Sequence, residues 1–324
     1  MLSKYTKWLL VFLFFNGIIF FNQAPIMGHH QGGVGGIGGI PRGQSAFSPE
    51  TLGRDKLSLS FLFDYQDWKH FDPFKAHELE EGGRDAHSRR KDTVYNAVIS
   101  YGVTDNLSLT FQFPFVERRT RQIETEELIG QREKSTGIGD VTTFGKYRFY
   151  NGLFGAAVTL GIKAPTGQTD ERDSAGNRFE PEEQPGTGST DFFFGMAINK
   201  NLGRFTIDGS ILYQLTGSGA QEYEFGDVLN VGIQGTYKVK EYGRYPGLDI
   251  LAGVVSEFAD KDDQFRKRIS DSGGTTVFFA PGLSSQLTNN LSSSFSVQFP
   301  ILQNLGRDHQ EVDLKVLFGI GYSF

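Results

Sequence analysis

Six charged residues lie at alternate positions of predicted strands, so that their side chains would point to the same face of the sheet. They are Asp140, Lys146, Arg148, Lys163, Asp191 and Asp208. The same alternation assigns Asp64, Lys238, Asp313 and Lys315 to that side. Because both signs are present, two roles are open: an internal salt-bridge network, or a charged constriction on a solute path. The first four residues lie on two consecutive predicted strands, so we expect this cluster to matter most for a solute.

Histidines offer a second chemistry, metal binding. His70, His77 and His87 share a polar stretch with five carboxylates, and His29 and His30 form a pair nearer the start. Imidazole and carboxylate groups together suit divalent metals. The spacing matches no recognised ligand pattern, so an exposed charged loop is the ordinary interpretation and a metal site is the alternative. No predicted strand carries a histidine to activate a nucleophile, and we predict no enzyme, no catalytic residue and no cofactor.

The elements that would position these side chains are β-strands. Leu107, Leu109, Phe111, Phe113 and Phe115 alternate with polar residues, which indicates a strand with one apolar face. The pattern recurs along the chain, with Pro114, Pro281 and Pro300 indicating bulges or strand ends. The predicted strands lie near 56–66, 92–101, 107–115, 139–149, 153–164, 190–199, 204–215, 227–239, 247–258, 275–287, 291–302 and 311–324.

The connections between these strands alternate between short turns and long polar stretches, the longest at 66–91, 117–137 and 165–188. Short periplasmic turns and long extracellular loops are typical of outer-membrane barrels. With 30 Phe and 41 Gly among 324 residues, the composition also fits a sheet with one lipid-facing side. We therefore predict an all-β transmembrane antiparallel up-and-down barrel of about twelve strands; a soluble β-sandwich is the alternative.

The two ends of the chain carry export and assembly features. Lys4 and Lys7 precede an apolar run, which predicts a signal peptide over 1–28, cleaved after Ala24 or Gly28. A Gly-rich segment, 29–54, follows as a flexible tail or a lumen plug, and the barrel spans 55–324. The last predicted strand places apolar residues at alternate positions from Val312, and its end resembles the signature by which outer-membrane barrels are recognised for assembly. That resemblance implies a signal formed by Phe318, Ile320, Tyr322 and Phe324.

The overall charge limits the partners. Lys and Arg number 32 against 38 Asp and Glu, giving a net charge of −6 and no strongly basic surface for nucleic acid. The absence of cysteine removes disulfides and thiolate sites. The expected partners are outer-membrane lipid, the barrel assembly machinery and a small solute.

Three stretches carry glycine-containing motifs, namely STGIGDVTTFGKYRF (135–149), GIKAPTG (161–167) and ERDSAGNRFEPEEQPGTGSTDFFFGMA (171–197). They resemble a family of outer-membrane transporters labelled as MetA-pathway of phenol degradation. The resemblance implies a barrel that moves a small solute across the bacterial outer membrane, and it supplies no catalytic residues. We predict a passive or gated channel. The alternative is a structural or adhesive barrel with a closed lumen and functional loops, and a metal-linked transporter is a narrower form of the channel.

Overall fold

A computed structural model of the chain describes residues 48–69, 89–122, 131–240, 245–270, 272–305 and 311–324. These ranges contain sixteen strands and two single-turn 3₁₀ helices, Pro181–Glu183 and Ala220–Glu222. The strands are β1 (Leu57–Trp68), β2 (Arg89–Thr104), β3 (Leu107–Gln122), β4 (Gln131–Ile138), β5 (Thr142–Asn151), β6 (Gly155–Lys163), β7 (Asp191–Leu202), β8 (Phe205–Leu215), β9 (Tyr223–Glu224), β10 (Val228–Lys240), β11 (Leu248–Ala259), β12 (Asp263–Gln264), β13 (Lys267–Arg268), β14 (Gly274–Gln286), β15 (Leu291–Asn304) and β16 (Val312–Ser323). Within the described ranges, neither helix has the length and apolarity needed to cross a bilayer.

The sheet is closed. Each barrel strand pairs antiparallel with its neighbours in the chain, and β1 pairs with β16 from Ser58↔Ser323 onward. β4 and β5 together occupy one position beside β3, so the barrel has twelve strands, which confirms the prediction. Closure leaves no free sheet edge within the hydrocarbon region, as a bilayer requires; β4, which pairs only with β3, lies beyond that region. The remaining short strands, β9, β12 and β13, form a separate three-stranded sheet beyond the barrel's long-loop end.

Alternation decides which side chains meet lipid. On β3 the rings of Phe111, Phe113 and Phe115 are 37–45% exposed, whereas Ser108 and Thr110 are buried. Apolar outward and mixed inward faces are what a bilayer and a lumen demand of the same strand. The aromatic face predicted from the sequence therefore points outward, and the charged face points into the barrel.

The strands near residue 120 are longer than the sequence indicated. The stretch 117–137, predicted as a loop, instead contains the end of β3 and all but the last residue of β4, and these strands pair from Phe115↔Ile138 to Gln122↔Gln131. That prediction was wrong because these strand ends rise beyond the hydrocarbon region, where the outward face no longer needs apolar residues. Strand pairing continues there without the alternation that revealed it elsewhere.

A bulge reverses the predicted direction of two residues on β16. The register between β1 and β16 shifts between Asp67 and Trp68, so that Trp68 pairs with Val312. Val312 is buried inside the barrel with Trp68, Val255 and Phe278, and Asp313 is exposed outside. The prediction of Asp313 as a lumen residue was wrong, since one extra residue flips the alternation beyond it.

The wall is also interrupted between β4 and β5, at residues 139–141. Opposite this break β3 carries Pro114, whose carbonyl accepts a hydrogen bond from the Gly139 amide at 2.9 Å. β3 changes partner here: its residues up to Gln112 pair with β5, and its residues from Phe115 onward pair with β4. The break brings Asp140 to the lumen at the level where β6 ends and β7 begins.

Candidate functional site

The candidate site is the extracellular half of the lumen, which is covered by residues 164–190, hereafter the mouth loop. This segment joins β6 to β7 and reaches across to β2, where the Arg90 guanidinium donates to the Glu182 carbonyl at 3.0 Å. Its Phe179, Glu183 and Gln184 are 0–3% exposed. A loop with such buried side chains is part of the barrel interior, so it narrows any path through the mouth.

Asp140 fastens the mouth loop to the wall. Its Oδ1 accepts the Gly167 amide at 2.8 Å, and its Oδ2 accepts the Thr187 amide at 2.7 Å and the Thr187 hydroxyl at 2.6 Å. The carboxylate thus holds both ends of the loop with three hydrogen bonds while being 4% exposed. Charge-assisted bonds of this kind are about twice as strong as neutral ones.

Lys163 and Asp191 extend this attachment. The Lys163 ammonium lies 2.5 Å from Asp191 Oδ2 and 3.8 Å from Asp140 Oδ2. Ser189 donates to Asp191 Oδ1 at 2.8 Å and shares a 2.8 Å hydrogen bond with Thr187. Three of the six predicted site residues therefore come together, in a salt-bridge network that links β5, β6 and β7 to the mouth loop.

A cavity of about 60 Å³ lies beneath the loop, between β2, β3 and the break at 139–141. Its walls combine apolar side chains with polar groups that are otherwise enclosed. The lining residues are Val94, Asn96, Gln112, Pro114, Val116, Arg118, Gly139, Asp140, Thr142, Lys163 and Pro185. Arg118 is 3% exposed, its Nε has no hydrogen-bond partner among the described residues, and its nearest carboxylate, Asp92, is 3.5 Å away. The cavity therefore offers apolar contact together with an incompletely paired hydrogen-bond donor.

Lys146 and Arg148 lie at the periplasmic end instead. Lys146 is buried and donates to the Ser48 carbonyl at 3.0 Å, and Arg148 donates to the Asp105 carbonyl at 3.0 Å. Lys146 is six residues from Asp140 along the wall, about 20 Å at the rise of a strand. The four residues that we expected to cluster are therefore divided between the two ends of the lumen.

The segment before β1 enters that periplasmic end. Ser48 and Pro49 are buried, and the Leu52 amide donates to the Ser108 hydroxyl of β3 at 2.8 Å. This part of the Gly-rich segment follows the lumen wall, as a plug would; residues 29–47 lie outside the described ranges. Asp208, the sixth predicted residue, faces inward on β8 opposite Asn199.

Outside the membrane, the mouth loop meets the small three-stranded sheet through one tyrosine. The Tyr223 hydroxyl lies 2.6 Å from Asp262 Oδ2 and 2.9 Å from Glu182 Oε1. Burial, together with these carboxylates, raises the pKa of Tyr223, which keeps the phenol neutral. Burial also raises the pKa of Asp262 to about 6, against the opposing effect of hydrogen bonds from Tyr223 and Gly226.

The predicted metal ligands His29, His30, His70, His77 and His87 all lie outside the described residues. Within the described part of the chain, no group of three or more metal-ligating side chains comes together. The proposed assembly residues Phe318, Tyr322 and Phe324 are 38–57% exposed on the outward face of β16, with Ile320 between them.

Sequence reasoning missed Arg90, Arg118 and Thr187, because each lies in a stretch interpreted as an exposed loop. It also missed the apolar side chains of the lumen, among them Phe144, Phe193 and Leu212, which pack together inside the wall. Arg118 continues the inward alternation of Thr110 and Gln112. This continued alternation was the signal in the sequence that could have identified Arg118 as an inward residue.

Comparisons with known proteins agree with this architecture. The profile of a family described as "Putative MetA-pathway of phenol degradation" matches residues 118–302. The COG4313 outer membrane channel from Pseudomonas putida F1 is similar over 85% of this chain and 97% of its own, with 16% identity and a TM-score of 0.60. Among curated proteins, none matches the sequence.

Two further solved barrels align with lower TM-scores. The β domain of the Bordetella autotransporter BrkA covers 83% of this chain and 100% of its own, at 10% identity and a TM-score of 0.49. The CymD monoaromatic hydrocarbon channel covers 92% of this chain and 97% of its own, at 10% identity and 0.45. The fold of the chain is that of a bacterial outer-membrane barrel, an assignment that takes its support from the COG4313 channel.

Proposed function

This chain belongs to the family described as MetA-pathway of phenol degradation, and from that premise we propose that it is a gated outer-membrane channel for a small solute with an apolar body and a polar group. The observation that carries the proposal is the mouth loop, which covers the extracellular half of the lumen and is held by a few polar contacts rather than by strand pairing. A loop held in this way can move away from the lumen while the hydrogen bonds between the barrel strands remain intact.

The cavity beneath the loop supports the solute class. Val94, Val116 and Pro185 offer apolar contact, and Arg118 Nε and Gln112 offer polar groups beside it. An apolar pocket with a small number of placed polar groups is the common form of a small-molecule site. A phenol has this combination of a ring and one hydroxyl, in agreement with the family's description.

The remaining assignments follow from this proposal. Residues 1–28 are a signal peptide, 29–54 a segment whose end enters the periplasmic mouth, and 55–324 the barrel. The barrel assembly machinery inserts the chain, no nucleic acid binds it, and no residue has a catalytic role. An adhesive barrel is not favoured, because a loop buried above a cavity is suited to the passage of a solute rather than to binding another surface.

Single-channel conductance of the refolded chain without residues 1–28 tests the channel. We expect discrete, brief openings for wild type, and a several-fold higher open fraction for Asp140→Ala, which removes three hydrogen bonds from the mouth loop. Asp208→Asn is the matched control, because this inward carboxylate lies away from the loop. A barrel that is folded but silent in both wild type and Asp140→Ala would contradict the proposal.

The solute class has its own test in the same bilayer. Phenol should interrupt the current in a concentration-dependent way, since its ring and hydroxyl match the apolar and polar groups that line the cavity, whereas glucose at the same concentration should not. Equal interruption by both solutes would overturn the solute class and leave the channel itself standing.

A further inference from the structure

The outer surface of the barrel carries a patch of positive charge where β2, β3 and β4 rise on the extracellular side. The register places Lys91 opposite Arg119 and Arg119 opposite Lys134. Two residues further along, Arg89 pairs with Arg121 and Arg121 with Arg132. Six basic residues therefore occupy adjacent positions on three neighbouring strands. The four whose side chains the structure describes, Lys91, Arg119, Arg132 and Lys134, are called the cationic patch below.

Like charges directly opposite each other destabilise a sheet, and the carboxylates nearby offset this patch only in part. Glu117 lies 2.6 Å from Arg119 and 2.9 Å from Lys134, and Asp67 lies 3.1 Å from Lys91. Among the described residues, two carboxylates thus face four cations. The Arg119 and Lys134 side chains remain 63% and 49% exposed, so an external anion can reach them.

The height of the patch relative to the bilayer points to the source of that anion. On the same strands the outward positions just below are Tyr95, Phe115 and Ile138, which pair in register; Phe115 and Ile138 are 45% and 56% exposed. Arg119 is four residues beyond Phe115, about 10 Å higher for a tilted strand. The tight turn of this hairpin, at Asp105 and Asn106, marks its periplasmic end. The patch therefore lies at the level of the headgroups of the outer leaflet.

We propose that the cationic patch binds the phosphate groups of the phosphorylated glycolipid of the outer leaflet, lipopolysaccharide. Arginine and lysine are the side chains that best bind phosphate, arginine through paired N–H donors and lysine as a point charge. The acyl chains of the same lipid would lie against the aromatic rows beneath the patch. This continuity between apolar belt and cations favours a lipid over an anion free in solution.

Binding of lipid A to the purified chain in neutral detergent tests the proposal, measured by titration with a fluorescent lipid A that carries both phosphates. We expect saturable binding to wild type and at least tenfold weaker binding to Arg119→Gln/Arg132→Gln/Lys134→Gln. The control removes three other cations of an extracellular loop, Lys261→Gln/Arg266→Gln/Lys267→Gln, and should bind as wild type does. Retention of the compact band on unheated gels shows that each variant is folded.

Three results would overturn the proposal. The first is equal affinity of wild type and the patch variant. The second is equal binding of dephosphorylated lipid A, which would exclude phosphate as the recognised group, or full competition by millimolar inorganic phosphate, which would show that the patch binds an anion free in solution rather than the lipid. The third is no binding of lipid A to the wild-type chain.

Discussion

A single hydroxyl proton on Tyr223 lies between two carboxylates, those of Glu182 and Asp262. The hydroxyl can donate to only one of them at a time, so the contact with the other requires a proton on that carboxyl group. Asp262 is the group that takes it, since burial raises the pKa of Asp262 to about 6 and the nearby carboxylates of Asp263 and Asp260 add to the rise. The mouth loop and the small extracellular sheet are thereby joined through a contact that depends on pH.

We predict that this contact strengthens as the pH falls from 7.5 to 5. A raised folded-state pKa contributes stability that is fully present below the unfolded value, near 4, and is lost as the pH rises through about 6. The change over this interval amounts to roughly tenfold in local protection. Hydrogen exchange at the Gly226 amide, which donates to Asp262 Oδ1, would measure it after correction for intrinsic rates. Asp262→Asn should abolish the dependence, and equal protection of wild type at both pH values would contradict the prediction.

At the scale of residues, alternation predicted the inward positions of Asp140, Lys163 and Asp191 but not the loop residue that binds Asp140. Thr187 lies in an irregular loop, and no period relates it to Asp140, 47 positions away. Lys146 and Arg148 share the predicted face, yet distance along the strand separates them from Asp140. Periodicity gives the direction of a side chain, whereas its partners depend on how the mouth loop folds back.

The mouth loop approaches the wall through glycines that leave no room for a side chain. A Cβ on Gly186 would lie 2.6 Å from Gly167 Cα, and a Cβ on Gly167 would lie 2.8 Å from the Gly139 carbonyl carbon. These are contacts between backbone atoms, which cannot rotate away. Of these three glycines, Gly167 belongs to the APTG motif that follows β6, and Gly139 belongs to the GIGD motif that precedes β5. The close backbone contacts explain why each motif has glycine at that position.

Gly186→Ala should therefore displace the mouth loop while the barrel remains closed. We expect faster proteolysis within 164–190 and a several-fold higher open fraction in a planar bilayer, with the barrel's melting temperature little changed because the loop lies outside the strand ladder. Gly209→Ala is the control, since its added methyl group would meet Ile198 at 3.5 Å, an ordinary contact. Unchanged cleavage and conductance in Gly186→Ala would show that the loop adjusts without release.

The strands themselves were predictable because the bilayer imposes one apolar face on each. All twelve predicted strands correspond to strands of the barrel. The failures, β4 and the direction of Asp313, occur where that constraint ends: above the hydrocarbon in the first case and beyond a bulge in the second. The resemblance supplied what periodicity could not, namely the class of function.

At the scale of the whole molecule, closure depends on the two ends of the barrel sequence meeting. β16 pairs with β1 over eleven residue pairs, and the Phe324 amide donates to the Leu57 carbonyl at 2.8 Å. The Phe324 side chain takes little part in this closure, because it is 57% exposed on the outward face. Its ring packs on the ring of Tyr322, with 4.8 Å between the two ring centroids. An exposed terminal ring contributes little packing, which leaves recognition during assembly as its proposed role.

Phe324→Ala should separate assembly from stability. We expect the variant to refold in detergent with nearly wild-type melting, because the backbone hydrogen bond to Leu57 is kept and only a lipid-facing ring is lost. In cells, its amount in the outer membrane should fall several-fold. Phe299→Ala, which removes a ring 46% exposed on β15, is the matched control and should insert normally. The compact band of unheated gels measures the amount of folded protein, both in membrane fractions and in the refolded sample. Equal insertion of the two variants would exclude a special role for Phe324, since lipid contact alone would then account for both rings.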